Sequence, residues 1–319
     1  MPADAPALDR APGAAAQRNG QDGPLLDTYR PRHALDLRLT VAPLRRGRGD
    51  PTWADGPDGA LWRAHRTPHG PATTRLQQRR GEVDVAAWGP GASWAVEAVP
   101  ELLGCRDDGE LDASLHPVVA AAHHRHPGLR VPRSADVLGA LVPGVLEQRV
   151  VGLDAKASWR RLVARHGEPA PGPVRLVVPP AAEVWRDLPD WEWRRAGVEG
   201  ARSDTVRRAA QVAGRLEATL SLPVVEARRR LTSVRGIGAW TCAEITSRAH
   251  GDTDAVPVGD YHLPSIVGWA LTGERADDAR MLELLEPWRG QRHRVVRLVA
   301  LTATPPRRAP RSPRAVPLR

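Results

Sequence analysis

The sequence predicts an α+β protein, a small N-terminal β-sheet lobe packed on an all-helical domain. Up to about residue 115 the apolar residues come in short runs bounded by Gly, Pro and Asp, the pattern of brief strands joined by turns. From His116 onward they recur every three to four residues, as helices require. Gly236 and Gly238 stand one residue apart between two such helical segments. That spacing is too close for an ordinary loop and marks a tight hairpin joining two helices.

Residues 1–28 are Ala, Pro, Gly, Gln and Asp without periodicity, expected to be a disordered tail because they bury too little apolar surface to order themselves. The β-sheet lobe is assigned to 29–115. Within it Leu35–Val41 alternates apolar and polar residues and reads as a strand. Leu61–His65, Thr74–Gln78 and Val83–Trp88 add further strands of a meander, and Trp94–Leu103 has the spacing of a helix that covers the sheet.

The helical domain is assigned to 116–302. One helix starts at His116 and stops at His126-Pro-Gly; a mostly apolar one covers Asp136–Val150 with an interruption near Pro143; an amphipathic one runs from Ala155 to Arg165. Val174–Val178 reads as extended, and 186–193 as short helical turns. Ser203 is expected to cap a helix whose buried face is Val206, Ala210, Ala213, Leu216 and Leu220. Pro223 opens the first hairpin helix where no N–H is needed. The second begins after Gly238 and ends near Gly251. Pro264 restarts a helix, and 277–301 supplies one or two more. Residues 303–319 form a basic, Pro-rich tail, disordered on composition.

The chain has 319 residues, a formal net charge of +9 and a pI near 10.9. Arg carries nearly all of the positive charge, because Lys156 is the only lysine. Such a balance suits polyanionic partners. Cys105 and Cys242 are the only cysteines, which points to a reducing compartment without a disulfide framework and removes an iron–sulfur cluster. The N-terminus lacks an apolar signal core, and no apolar run approaches a membrane span. A cytoplasmic protein with no membrane partner is expected. His116, His123, His124 and His126 lack a Cys or carboxylate to complete a zinc site, so no metal is assigned.

The hairpin carries the chemistry. Gly permits positive φ and close backbone approach, and the free N–H groups of the helix after Gly238 form an anion site that fits a phosphodiester. One helix and a short loop later stands Asp260, in Val-Pro-Val-Gly-Asp-Tyr-His-Leu-Pro. Its plain reading is a helix cap.

These residues resemble the helix-hairpin-helix signature of the HhH-GPD superfamily of base-excision DNA glycosylases, within it the 3-methyladenine DNA glycosylase II (alkylpurine) family. The resemblance rests on the hairpin glycines, Trp240, Thr241, Ala243 and Asp260, and extends from Leu35 to Leu301, weakly before His116. Arg235 departs from it, standing where relatives commonly place Pro. The resemblance implies a TATA-binding-protein-like N-terminal lobe and hydrolysis of damaged, alkylated purines such as 3-methyladenine from double-stranded DNA by a monomer. It implies no cofactor for catalysis and a monovalent cation at the hairpin.

By that resemblance Asp260 is the catalytic carboxylate, stabilising positive charge on the sugar and orienting water. Trp240 and Tyr261 would wall the base pocket, where an aromatic face suits a cationic base. Gln148, Arg149, Arg235, Gly236, Ile237, Gly238, Ala239 and Thr241 would bind DNA, with Arg149 placed to prop the gap left by the extruded base. Arg289, Arg292 and Arg294 are further candidates for phosphate contact. Lyase members form a Schiff base through a lysine where Trp240 stands, so a monofunctional reaction follows. The same class with an oxidised-base preference, and a catalytically silent DNA-binding protein, are the alternatives.

Overall fold

The computed structural model describes residues 23–302 apart from 108, together with the backbone of Gln17–Arg18. The C-terminal tail and most of the N-terminal one lie outside the described residues.

The N-terminal lobe is an antiparallel sheet of β1 (Gln17–Arg18), β2 (Leu25–Tyr29), β3 (Trp53–Asp55), β4 (Leu61–Thr67), β5 (Gly70–Arg79) and β6 (Glu82–Trp88), in the order β1-β2-β6-β5-β4-β3. β2 corrects the tail expected over 1–28: Leu25–Tyr29 pairs along β6, Leu25 facing Ala87, and Leu25 is buried. Its place in the sheet comes from the exposed edge that β6 offers, which no local pattern in 1–28 reveals.

The expected strand at Leu35–Val41 is instead helix α1 (Leu37–Val41). Asp36 caps it, its carboxylate accepting from Leu39 N at 2.9 Å. Leu37, Thr40 and Val41 are the buried positions, a three-to-four spacing that overrides the apparent alternation. Helices α2 (Ala92–Glu97) and α3 (Val99–Leu102) close one face of the sheet over a core that includes Leu61, Leu76, Val85, Val96 and Leu103.

Twelve helices and two short strands, among the described residues, build the second unit. They begin with α4 (Pro117–Arg125), α5 (Val137–Leu146) and α6 (Gly152–His166), then a two-residue pair β7 (Glu168–Pro169) and β8 (Val177–Val178); β8 lies in the stretch Val174–Val178 expected to be extended, whereas its partner β7 was not expected. Next come α7 (Ala182–Asp187), α8 (Asp190–Ala196), α9 (Gly200–Gln211), α10 (Ala213–Glu217), α11 (Val224–Thr232) and α12 (Ala239–Ile245), the last prolonged by a π-turn over Thr246–His250. α13 (Leu263–Thr272), α14 (Asp278–Leu285), α15 (Arg292–Thr302) and short 3₁₀ turns complete it.

Pro143 does not interrupt α5, which runs through it fully buried. Ser203 is no cap: α9 starts three residues earlier, and the Ser203 hydroxyl donates to Gly200 O at 3.0 Å. The expected long helix breaks at Val212, and Pro223 is the N-cap of α11. His116 caps α4 through its ring, Nδ1 accepting from Val118 N, which explains one member of the histidine cluster without a metal. The helical core holds a Trp stack, Trp185 lying 6.4 Å from Trp159 and 5.7 Å from Trp193 between ring centroids. Such pairs add roughly 0.5–1.5 kcal/mol beyond the area they bury.

The lobes are joined where the loop after α1 meets α6 and the end of α12. Asp50, buried, accepts from Arg46 N at 2.7 Å within the loop and from Trp159 Nε1 at 3.1 Å across the interface. Arg248 closes the other side, its Nε donating to Pro43 O at 2.9 Å. The N-terminal lobe is thereby pinned beside the hairpin.

Candidate active site

α11 and α12 are joined by a six-residue turn, 233–238. Ile237 N donates to Val234 O at 3.0 Å, reversing the chain, and Ile237 is buried as the anchor. Gly236 has φ +100°, and a Cβ there would collide with Thr205 of α9, so only glycine fits. Gly238 differs from expectation: its backbone is extended at φ −91°, ψ −173°, and a Cβ would meet open space. The first turn of α12 closes with Cys242 N donating to Gly238 O at 2.9 Å. The preceding N–H groups, by helix geometry, have no carbonyl to reach. They lie beside exposed Gly238 and Ala239, facing solvent.

The structure spends several of the expected DNA-binding side chains on the hairpin itself. Gln148, just past α5, donates through Nε2 to Gly236 O at 3.0 Å and to Thr241 Oγ1 at 2.7 Å. It is a clasp. Ile237 and Thr241 are buried, so their only outward offering is backbone. Arg235 is exposed, while its carbonyl accepts from Arg208 Nε at 3.1 Å. Of the hairpin carbonyls, Val234 O, Arg235 O and Gly236 O accept from Ile237 N, Arg208 Nε and Gln148 Nε2. Arg149 is exposed at φ +55°, one of three non-glycine residues with positive φ among those described. This conformation costs roughly 1–3 kcal/mol and is characteristic of functional positions.

The C-terminal arginines are corrected. Arg294 is 1% exposed and paired with Asp107, Arg292 is paired with Asp254, and Arg289 with Glu286. Burial and these partners remove Arg294 and Arg292 from reach of DNA.

Asp260 follows Gly259, whose φ of +92° turns the chain ahead of α13. Its Oδ1 accepts from His262 N at 2.8 Å and Leu263 N at 2.9 Å, and its Oδ2 from Trp240 Nε1 at 3.0 Å. The carboxylate is thus both the cap of α13 and the acceptor of an indole N–H from the hairpin helix. Trp240 is half-buried rather than core. Tyr261 sits next to Asp260, its ring edge-on to His262 at 4.8 Å. Lys156 lies elsewhere, on α6, where its stem is the nearest neighbour to a Cβ built on Gly47.

Sequence reasoning missed the charged groups behind the carboxylate. Glu244 lies four residues after Trp240, hence on the same face of α12, and its side chain is 13% exposed. Arg248 pairs with it at 2.7 Å, and Arg46 from the N-terminal lobe, 6% exposed, lies 3.8 Å from Glu147. Burial pushes the Glu244 carboxyl up, against the pull of Arg248 and Arg46, and the Glu147 and Asp260 carboxylates push the same way as burial. The i, i+4 spacing from Trp240 was the only sequence signal. Among the described residues no three His, Cys, Asp or Glu side chains form a metal-holding group.

No family model matches the chain. Over 174 residues, 52% of this chain, it is 32% identical to the "Probable bifunctional transcriptional activator/DNA repair enzyme AlkA" of Mycobacterium tuberculosis. It spans about a third of the length of that curated relative, 32%. Among solved structures it superposes on the 3-methyladenine DNA glycosylase of Archaeoglobus fulgidus with a TM-score of 0.74, covering 85% of this chain and 96% of that one at 18% identity. The chain has the fold of the helix-hairpin-helix DNA glycosylases. An 8-oxoguanine glycosylase/lyase of Clostridium acetobutylicum, in complex with DNA, also carries this glycosylase fold, with a TM-score of 0.69, 12% identity, and coverage of 90% and 96%. No helix among the described residues is long and apolar enough to cross a membrane.

Proposed function

We propose that this protein is a monofunctional DNA N-glycosylase that hydrolyses the glycosidic bond of alkylated purines in base-excision repair. The single observation that carries the reading is Asp260, held between the start of α13 and the Trp240 indole at the end of the hairpin. The hairpin grips a phosphodiester of double-stranded DNA through the free N–H groups after Gly238. That grip fixes the sugar relative to α12, and Trp240 carries the register to Asp260.

As the C1′–N bond lengthens, positive charge builds on the sugar and the Asp260 carboxylate stabilises it. Water adds its oxygen to C1′, a proton leaves to solvent or to the departing base, and an abasic site remains. Trp240 and Tyr261 supply aromatic surface for the extruded base, and Arg149 fills the vacated stack. With Trp240 in place of a hairpin lysine, and Lys156 distant on α6, no lysine amine among the described residues is positioned for strand cleavage. The sheet of 25–88 serves as the TATA-binding-protein-like lobe, and a monovalent cation at the hairpin would brace its turn. Two unpaired cysteines, Cys105 and Cys242, fit action as a cytoplasmic monomer.

An assay for abasic sites on alkylated double-stranded DNA tests the reading. Release of 7-methylguanine or 3-methyladenine that depends on Asp260 supports it; tight DNA binding without release of any base would leave a silent DNA-binding protein. Preferential release of 8-oxoguanine would move the enzyme to the oxidised-base class, whose fold it shares.

A further inference from the structure

The chain that leads from the hairpin helix to α13 is tied to the fold by three carboxylates, and one of these ties lies directly beside Asp260. Asp252, buried, takes Arg228 of α11, and Asp254 takes Arg292 together with Gly290 N at 2.8 Å. The third is Asp278, in the first turn of α14, whose Oδ1 accepts from Gly259 N at 3.0 Å. Asp278 is not needed to start its own helix. Asp277 is the N-cap of α14, accepting from Arg280 N at 2.8 Å, so the neighbouring carboxylate is left to the loop.

Gly259 stands immediately before Asp260 at φ +92°, and a Cβ there would meet open space. Packing therefore does not hold it, and glycine has the widest backbone freedom of any residue. The other bond of this turn, from Asp260 N to Pro257 O, is 3.3 Å long, past the usual N–H···O range of about 2.7–3.2 Å. A bond to an ionised acceptor is also roughly twice as strong as a neutral one, which makes Asp278 the firmest restraint on the peptide entering Asp260. Its anchor is rigid: Met281 and Leu285 of α14 are fully buried in one core with Leu263 and Val267 of α13. Asp260 is thus fixed from α12 through Trp240, from α13 through the cap, and from α14 through Gly259.

We propose, resting on the glycosylase reading above, that Asp278 is a positioning residue for the Asp260 carboxylate. It sets the plane of the 258–259 peptide and with it the direction in which the chain enters Asp260; the bonds to Oδ1 and Oδ2 then set the side chain. Without Asp278 the loop keeps its other anchors, but Gly259 can turn about φ and carry Asp260 away from the sugar. A displacement of about 1 Å at a reacting group is enough to slow chemistry roughly a hundredfold. The hairpin's grip on phosphate is untouched by such a shift, so Asp278 governs rate and not affinity.

The test measures single-turnover release of hypoxanthine from duplex DNA by the full-length protein. Asp278→Ala should lower the maximal rate about tenfold or more and leave the protein concentration that gives half of it unchanged. Asp278→Asn, whose amide oxygen can still accept from Gly259 N, should keep most of the rate. On the Asp260→Asn background, where no carboxylate remains to be aimed, Asp278→Ala should change release by less than about twofold. A wild-type rate in Asp278→Ala would overturn the proposal, as would an Asp278→Asn no faster than Asp278→Ala. Equal slowing on both backgrounds would overturn it too, because the effect would not pass through Asp260. If Asp278→Ala fails to fold, Asp278→Ser, which suits a helix start but is too short to reach Gly259, is read in the same way. A wild type that releases no damaged base, 7-methylguanine included, would instead overturn the glycosylase reading and the proposal with it.

Discussion

The indole N–H of Trp240 donates to Oδ2 of Asp260 at 3.0 Å, while Oδ1 of the same carboxylate caps α13 through His262 N and Leu263 N. One oxygen belongs to the hairpin and the other to the following helix. Capping and catalysis are therefore not rival roles for Asp260, because the cap fixes where the charge points.

Asp260→Asn should separate the two. The amide oxygen can still cap, so the stability loss should stay at or below about 1 kcal/mol. Base release should fall roughly 10²–10³-fold through loss of the preorganised charge, with DNA binding retained. The drop should be larger for neutral hypoxanthine than for cationic 7-methylguanine, which departs with less help. Single-turnover excision of both bases checks this; near-normal release would return Asp260 to a purely structural role.

Trp240→Phe keeps an aromatic face but deletes the donor. If the indole N–H orients Asp260, release should slow by about tenfold or more, as for loss of a hydrogen bond to a charged group worth roughly 1.5–3 kcal/mol. Affinity for damaged DNA should change little. Full activity in this variant would show that only the ring face matters.

The two hairpin glycines should behave differently. Gly236→Ala forces a side chain into Thr205 at positive φ, so it should lose roughly 1–3 kcal/mol of stability in denaturant unfolding. Gly238→Val meets no protein atoms and should fold normally, yet weaken DNA binding by placing bulk where the phosphate approaches. Wild-type binding should itself weaken steeply with salt. Unchanged, salt-insensitive binding by Gly238→Val would remove the hairpin from the DNA interface.

Borohydride should not trap the protein on damaged DNA, because Trp240 stands where an amine would be needed. Trapping that survives Lys156→Ala would point to the N-terminal amine.

A buried acid pair at the start of α5 sets a pH dependence of stability. Glu217 accepts from Val137 N at 3.0 Å and Leu138 N at 2.8 Å, beside Asp136, which accepts from Gly139 N. Burial, then the Asp136 carboxylate, pushes the Glu217 carboxyl up to about 7. A raised folded-state pKa means the folded protein holds a proton that the unfolded chain releases above its ordinary value of 4.5. Stability should therefore decline as pH rises from there towards 7. Glu217→Gln should flatten that part of the melting-temperature profile and raise stability at pH 8; an identical slope in both proteins would show that Glu217 does not titrate there.

The hairpin was legible because its glycines and helix boundaries are local. The α12 start follows from spacing alone, as do the strands at 61–88, whereas Ile237, expected at the DNA, is the buried anchor. The sheet's β2 was not, since Leu25–Tyr29 is ordered by β6 rather than by its own composition. Leu35–Val41 satisfied both periods over seven residues, and the Asp36 cap, visible only as a bond, decided for the helix. The roles of Gln148 and Thr241 also changed: their partners lie 93 positions apart.

The sequence by itself determined the fold class, the hairpin and the candidacy of Asp260, because each rests on local apolar spacing or on the one contiguous stretch from Gly236 to Asp260. Its two cysteines, and Trp240 at the hairpin, carry the expectation of no iron–sulfur cluster and no hairpin amine. Tertiary structure alone decided which arginines are free to meet a phosphate and which are spent on Asp254, Asp107 or a carbonyl. It alone brought Arg46 beside Glu147 and Glu244. Those groups are some 100 and 200 positions apart, roughly, and at such separations chain connectivity carries no preference for contact: loop closure costs entropy that grows only slowly with length, so packing chooses the partner.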